Sequence, residues 1–471
     1  MVNYGRPSKD CLPCRKRKLR CNLDPLGCSQ CRRAKLACHG YRNLNELAFR
    51  DETWSVANKV LARQSSVTLL SNPHSDCDAL SRDAFLSLYI DRYSHGFDAL
   101  APLLATSPTS GYLRASVDAV SLAFMAYQEG RPELAVQANR RYLVAIRSLR
   151  TEILRLHNTD CNMSPISNAF LQSVLLLDLY EKLDRHHHRN TAPRSSSSWL
   201  SHASGALAMV KARPQTQFSD PSTRHLASRI VIALTISCGA AGIRVPEALT
   251  ELHSDLASHV QSPKLTYMGL LSASINLHAD IREAMLSPEA IVLRAEELDM
   301  QLALVESSIP GSWRPQVVKS DSPLVLGGYY DRYPDHYSTQ VFNAFRIQRL
   351  VMSAIIRETS VPNYTPQEVA RLARDICASV PQFLLQTTNP GNTVPPSPLQ
   401  RLQCHGVLTP LYVAAQTTTD ARVREWILQI LAYMIDSGIQ MARYVRNTLI
   451  HSPETDYWAV FSTVGSCGIT A

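Results

Sequence analysis

From about residue 44 to the carboxyl terminus, apolar side chains recur at the spacing of a helix. Phe85, Leu88, Tyr89, Tyr93 and Phe97 form one such set, and Leu134, Ala138, Tyr142, Ala145, Leu149 and Ile153 another; offsets of three and four return to the same helical face. Pro132 and Pro165 suit first helical turns, and Ser164 suits a cap. No alternating strand ladder competes with this pattern. It predicts a large all-α domain over residues 81–471, preceded by a linker over 44–80 with room for a short helix. The most apolar segment, IVIALTISCGAAGI between Arg229 and Arg244, is too short to cross a bilayer and reads as a buried helix. Two polar stretches interrupt the helical pattern. Residues 185–198, RHHHRNTAPRSSSS, read as a solvated loop, because three adjacent histidines rarely converge on one ion without partners elsewhere. Residues 388–398, TNPGNTVPPSP, read as a proline-rich linker between helices.

Residues 1–43 follow a different rule. Six cysteines, Cys11, Cys14, Cys21, Cys28, Cys31 and Cys38, stand at C-x2-C-x6-C-x6-C-x2-C-x6-C. The second three repeat the spacing of the first three, and Lys35 falls where Lys18 does, so two similar half-sites around one centre are expected. Thiolates are soft ligands that zinc takes four at a time, and paired CxxC units supply them from a short chain. Two ions need eight thiolate positions, which six cysteines fill only if two of them bridge. A disulfide knot is the rival reading. It is the weaker one, since MVNYGRPSKD lacks the apolar core of a signal peptide and disulfides rarely persist in reducing compartments. The other cysteines, Cys77, Cys161, Cys238, Cys377, Cys404 and Cys467, form no CxxC pair and read as ordinary core thiols.

Charge follows the same division. Residues 1–43 hold 11 Lys and Arg against 2 Asp, a net of +9, while the remaining residues carry a net of −1. Six thiolates and two zinc ions would leave the module at about +7, still a dense cation for a phosphate backbone to meet.

The run Cys14-Arg15-Lys16-Arg17-Lys18-Leu19-Arg20-Cys21 between the cysteine pairs resembles the binuclear zinc cluster of fungal transcription factors. That resemblance implies two short helices around a two-zinc, six-cysteine cluster, with Cys11 and Cys28 bridging the ions. Cys14 and Cys21 would complete one tetrahedron, and Cys31 and Cys38 the other. It departs from the family at the loop proline, because Pro25 sits three places before Cys28 instead of two. Periodicity alone would leave Lys18 on the metal-facing stripe of an unbroken helix through Cys21. The resemblance instead implies that Arg17 and Lys18 meet base edges in the major groove, at CGG triplets in this family, where lysine and arginine donate to guanine. Arg15, Lys16 and Arg20 are then assigned to phosphates.

The long carboxyl-terminal segment resembles the helical regulatory domain of the same factors. The resemblance rests on HGYRNLNELAFRDET, VLLLDLYE with WLSHASGAL, YSTQVFNAFRIQRL, and PLYVAAQ with REWILQIL. Trp199, Leu207, Phe345, Leu411 and Trp426 read as its packing residues. Together the two resemblances imply a nuclear, DNA-binding regulator of RNA polymerase II genes, an activator as most of the family are, with double-stranded DNA as its partner and no membrane.

Two rival classes, an enzyme and a protein-binding adaptor, find less support in the residues. No phosphate-binding glycine loop, HExxH or GxSxG marks an enzyme. A zinc-module adaptor that binds proteins and no DNA would have no need for the basic run RKRKLR. Leu47, Trp54 and Leu61 hold a heptad register, but two of the companion positions Leu44, Asp51 and Asn58 are polar, so a short coiled coil and an amphipathic helix packed on the regulatory domain both stay open, as do a homodimer, a co-regulator and a small-molecule effector for the helical domain.

Overall fold

The computed structural model describes residues 9–41, 73–94, 96–106, 111–158, 167–184, 197–213, 215–359, 366–389 and 391–464. The chain divides into two compact units, 1–72 and 73–471. The heptad residues Leu47, Trp54 and Leu61, the histidine loop, Ser164, Pro165, Cys161, Cys467 and the side chain of Trp199 lie outside the described residues.

The first unit contains α1 (Leu12–Lys16) and α2 (Ser29–Arg33). Five of its cysteines form its own small buried cluster, with Cys38 and Tyr41 packed against them.

The second unit is a helical assembly that begins with α3 (Pro73–Ala84), a π-helical turn over Phe85–Ile90, and α4 (Leu100–Thr106). There follow α5 (Gly111–Glu129), α6 (Pro132–Asn158), α7 (Asn168–Asp184), α8 (Ser197–Lys211), α9 (Pro221–Ala241) and α10 (Glu247–Ala257). After α11 (Pro263–Arg282) and α12 (Pro288–Ser308) comes a hairpin of β1 (Gln316–Lys319) and β2 (Tyr329–Arg332). The unit ends with α13 (His336–Thr359), α14 (Pro366–Ala378), α15 (Pro398–Thr417), α16 (Ala421–Asp436), α17 (Met441–His451) and α18 (Tyr457–Val464).

Sequence decides where many of these helices begin. Asp220, Ser287 and Ser397 each cap a helix whose next residue is proline, and each side chain accepts a first-turn amide. Gln400 returns the bond at Ser397 to complete a capping box. Proline at the first helical position loses no hydrogen bond and presets the backbone, so the pair is a strong start signal. Pro132 opens α6 as its sequence implies.

One apolar core runs from Phe85 to Val464. Helix α7 is buried from Ala169 to Asp184, and the apolar segment before Arg244 is the buried body of α9. Leu207, Phe345, Leu411 and Trp426 are buried as expected. In the stripe of α6, Leu134, Ala138, Ala145 and Leu149 are buried, whereas Ile153 reaches solvent. Phe85, Tyr89, Tyr93 and Phe97 are all buried, but through a wider turn than an α-helix. The amides of Asp91 and Ser94 bond back five residues, to Leu86 and Tyr89, which carries the chain on to Gly96 and Phe97.

One expectation is corrected. The unit contains an antiparallel hairpin, with Gln316 opposite Arg332 and Lys319 opposite Tyr329. Its strands are four residues long and do not alternate in burial, so no period of two was there to read. The proline-rich segment 388–398 connects helices as read and is mostly exposed, with one buried anchor. Asn392 is buried in it and donates to the carbonyls of Gln382 and Leu385 at 2.9 and 2.8 Å.

Buried charge ties helices together. Lys182 and Asp178, one turn apart on α7, pair at 2.6 Å in the core. Arg349 on α13 reaches Asp299 on α12 at 2.9 Å, Glu306 at 3.4 Å and Glu368 on α14 at 2.7 Å.

Hydrogen bonds from Arg371, together with the charges of Arg371 and Arg349, hold the Glu368 carboxyl down at about 2, well below its usual 4.5. A carboxylate depressed in the folded state stabilises it above the unfolded value and loses that contribution as pH falls toward 2. Glu368→Gln should therefore lower stability at neutral pH, by on the order of 1 kcal/mol after allowance for solvent screening of this third-exposed group. It should also flatten the acid limb of stability between about pH 4.5 and 2. Denaturant titrations across that range measure both; an unchanged acid limb would show that the network is neutral for stability.

Candidate metal centre and basic face

Each half of the amino-terminal module is built the same way. Cys11 and Cys28 occupy the N-cap positions of α1 and α2 in extended conformation, and the Cys28 Sγ accepts the Cys31 amide at 3.3 Å. Both helices last five residues. They end in matching closures: Leu19 N donates to Cys14 O and Lys18 N to Arg15 O, as Leu36 N does to Cys31 O and Lys35 N to Arg32 O. This is the Schellman arrangement, whose pivot residue is left-handed and usually glycine. Here the pivots are Lys18 at φ 54° and Lys35 at φ 51°, each strained by about 1 kcal/mol. The repeat noticed in the sequence is therefore a repeat of backbone geometry. The helix does not run unbroken to Cys21, so Lys18 leaves the sulfur-facing stripe; Cys21 returns to the sulfurs through an extended segment.

The six sulfurs converge. Cys11 Sγ lies 3.7 Å from Cys28, 3.6 Å from Cys31 and 3.9 Å from Cys21, and Cys14 lies 3.5 Å from Cys28. They fall into two groups of four that could each hold a metal ion: Cys11, Cys14, Cys21, Cys28, and Cys11, Cys28, Cys31, Cys38. Both groups contain Cys11 and Cys28. Four sulfurs at about 2.3 Å from one zinc stand about 3.8 Å apart in a tetrahedron, so the donor set fits thiolate coordination in distance as well as in kind. All six are unbonded thiols, spaced well beyond the roughly 2.05 Å of a disulfide.

Crowding also shapes their acidity. Burial pushes up the thiols of Cys14 and Cys31, the latter to about 12. Burial acts on Cys28 too, but the Cys31 amide and the neighbouring thiols bonded to its sulfur outweigh it and hold it near 6. The centre thus favours at least one thiolate.

Around it, Lys16, Arg17, Lys18, Arg20, Arg32, Arg33 and Lys35 are exposed, and Arg15 is half-buried. The two halves differ in one respect that sequence reading missed. Arg32 is bound to Asp24 at 2.6 Å; Asp24 also accepts the Leu26 amide and, through its carbonyl, the Tyr41 hydroxyl. Asn22 accepts the Ser29 amide at 2.9 Å. These bonds fix the loop between the half-sites, and the turn-forming composition Asn22-Leu23-Asp24-Pro25-Leu26-Gly27 was its only signal. Among the described residues no carboxylate pairs with Lys16, Arg17, Lys18 or Arg20. Among the described residues the other cysteines join no cluster: Cys238, Cys377 and Cys404 are buried singly, and Cys77 is half-buried.

A family model described as the fungal specific transcription factor domain matches residues 81–451. No curated protein and no solved structure matches the chain.

Because Cys28 belongs to both groups of four and Cys38 to one, Cys28→Ser should reduce bound metal per chain more than Cys38→Ser. Elemental analysis of the purified chains measures it, and equal losses would count against a shared pair. A chelator should abolish the structure of residues 9–41 while the helical signal of the second unit persists, since so short a module buries too little apolar surface to fold without metal.

Proposed function

The chain belongs to the fungal specific transcription factor domain family, and from that premise we propose that it is a sequence-specific DNA-binding regulator of RNA polymerase II genes. The observation that carries this reading is the pair of four-cysteine groups sharing Cys11 and Cys28, framed by an unpaired basic run. The module takes two zinc ions, with Cys14 and Cys21 completing one site and Cys31 and Cys38 the other. Zinc supplies structural cross-links here: it stands in for a hydrophobic core and performs no reaction.

What the chain's own residues do follows from α1. It is short enough to enter a major groove about 12 Å wide, and its last turn and exit carry Arg15, Lys16, Arg17 and Lys18. Cations at this end also oppose the partial negative charge of the helix terminus. Arg17 and Lys18 read guanine edges at CGG-type half-sites, while Arg15, Lys16 and Arg20 hold phosphates and fix the register. The Lys18 turn helps here, because a left-handed residue ends the helix where the chain must leave the groove.

The helical unit regulates this reader, as an activator. Its role is that of a non-enzymatic regulator, and a second copy of the chain, a co-regulator or a small effector are the partners it is built to receive. The site of action is the nucleus; among the described residues no helix is long and apolar enough to cross a membrane.

Fluorescence anisotropy with a CGG-containing duplex and a scrambled one, over a range of salt, tests the reading. Lys18→Gly keeps the left-handed turn and should lose about 1–3 kcal/mol of discrimination between the duplexes. Lys16→Ala should weaken both duplexes alike and reduce the salt slope by about 1. Full CGG preference in Lys18→Gly would remove Lys18 from base reading, and a metal-loaded chain with no preference at all would make the module a protein-binding adaptor.

A further inference from the structure

The second unit contains a cavity of about 180 Å3 between the middle of α9, the start of α11 and the beginning of α13. Its wall holds Arg229, His225 and Ser228 from α9, Ser262 and Lys264 from the start of α11, and Tyr337 from α13. Ile232, Val260 and Leu265 complete the wall with apolar surface, so its polar groups are few and nearly all donors, and among the described residues no carboxylate lines it.

Arg229 is the anomaly. Four Lys or Arg side chains are buried among the described residues: Lys182, Arg229, Arg346 and Arg349. Three have a carboxylate within reach, Lys182 at 2.6 Å, Arg346 at 3.9 Å and Arg349 at 2.7 Å. Arg229 is 4 % exposed, and its Nε and Nη1 are buried with no acceptor. Asp178 and Asp98 act on it only through space; the first is paired with Lys182 and the second faces solvent. The Nε2 of His225 is likewise buried without a partner. A buried cation left uncompensated is strongly unfavourable unless something neutralises it.

The guanidinium is also held in place. A Cβ on Gly96 would stand 2.2 Å from Nη1 and 2.5 Å from Cζ, so only glycine lets the side chain pass. On its other side the Phe97 ring lies 4.4 Å from Cζ. Nearby, the start of α11 is prepared in a complementary way. Ser262 occupies its N-cap without making the side-chain bond that Ser287 and Ser397 make at theirs, so its hydroxyl is not spent on capping the helix. Burial, and then the charge of Arg229, push the Lys264 ammonium down to about 7; an anion between the two cations would reverse that push.

We propose that this cavity binds a small phosphate dianion, either free or as the phosphoryl group of a small ester. A fork-shaped guanidinium, an ammonium, an imidazole and two serine hydroxyls are many donors, and a tetrahedral oxyanion can accept from more of them than a planar carboxylate can. The volume holds several waters' worth of space at about 30 Å3 each, enough for a phosphoryl group and a small substituent. The site is independent of whether the amino-terminal module reads DNA.

The test is calorimetric and thermal titration of the full, metal-loaded chain with inorganic phosphate, methyl phosphate and succinate at fixed ionic strength. Saturable binding of phosphate or methyl phosphate is expected, with a melting temperature that rises with ligand concentration; the tighter of the two identifies the source. Arg229→Met and Lys264→Met should each weaken it about tenfold or more. The ligand-free melting temperature of Arg229→Met should hold or rise, because an unpaired buried charge has been removed; Lys264 is only half-buried, so its variant keeps the test valid if the first misfolds. No saturation by about 10 mM phosphate, tighter binding of succinate, or unchanged affinity in both variants, which would put the phosphate on the basic module, would overturn the proposal.

Discussion

Charge taken out of water must meet a partner, and both units of this chain are organised by that constraint. In the helical unit the partner is usually another side chain. Lys182 and Asp178 close on each other within one turn of α7, and Arg349 draws carboxylates from α12 and α14 onto α13. In the small unit the groups that need a partner are crowded sulfurs at 3.5–3.9 Å, of which Cys28 is held acidic. Among the described residues no basic side chain pairs with them: Lys16, Arg17, Lys18 and Arg20 are exposed and Arg15 is half-buried. Sulfur and basic side chain are thus separated by the backbone, the first turned inward to the shared centre and the second outward to solvent.

That separation depends on two strained residues. A five-residue helix cannot carry an intervening stretch of six residues back to the same centre if it continues as a helix, so the chain must turn soon after each CxxC pair. Lys18 and Lys35 take the left-handed conformation that makes this turn. Glycine would do so with less strain. A lysine at each pivot accepts about 1 kcal/mol of strain and keeps a positive charge at the helix exit, and the metal cross-links proposed on either side of the pivot are strong enough to hold it there.

How legible this was in the sequence varies with the range of the interaction. Cysteine spacing is a local property fixed by ligand geometry, so the pairing of Cys11 and Cys28 into both groups matches a count made from spacing and resemblance alone. The period of Phe85, Tyr89, Tyr93 and Phe97 survives even a π-helical turn, because burial selects the face before the hydrogen-bond pattern does. Helix starts at Pro132, Pro221 and Pro398 are local as well. The hairpin escaped because four-residue strands without alternation carry no periodic signal, and its pairing joins residues that sequence does not connect. Arg32 counts toward the positive charge of residues 1–43, and its pairing with Asp24 eight positions earlier follows no local pattern. Gly96 gave no sign at all: its role depends on a guanidinium more than a hundred positions away.

Arg229 shows the same limit from the other side. In the sequence it is the hydrophilic border of an apolar segment, matched by Arg244, and a border charge ordinarily lies in water. In the fold, α9 is buried on both sides of that border, so Arg229 lies inside while Arg244 reaches Asp280 and Glu283 at the surface. Helix packing alone could have been served by an apolar residue at 229 with better effect, since replacing buried ions by well-packed apolar groups is often neutral or stabilising. A near-neutral domain that compensates its other buried cations, yet fixes this one between Gly96 and Phe97 with no acceptor for two of its nitrogens, has arranged a charge for something that is not part of the chain.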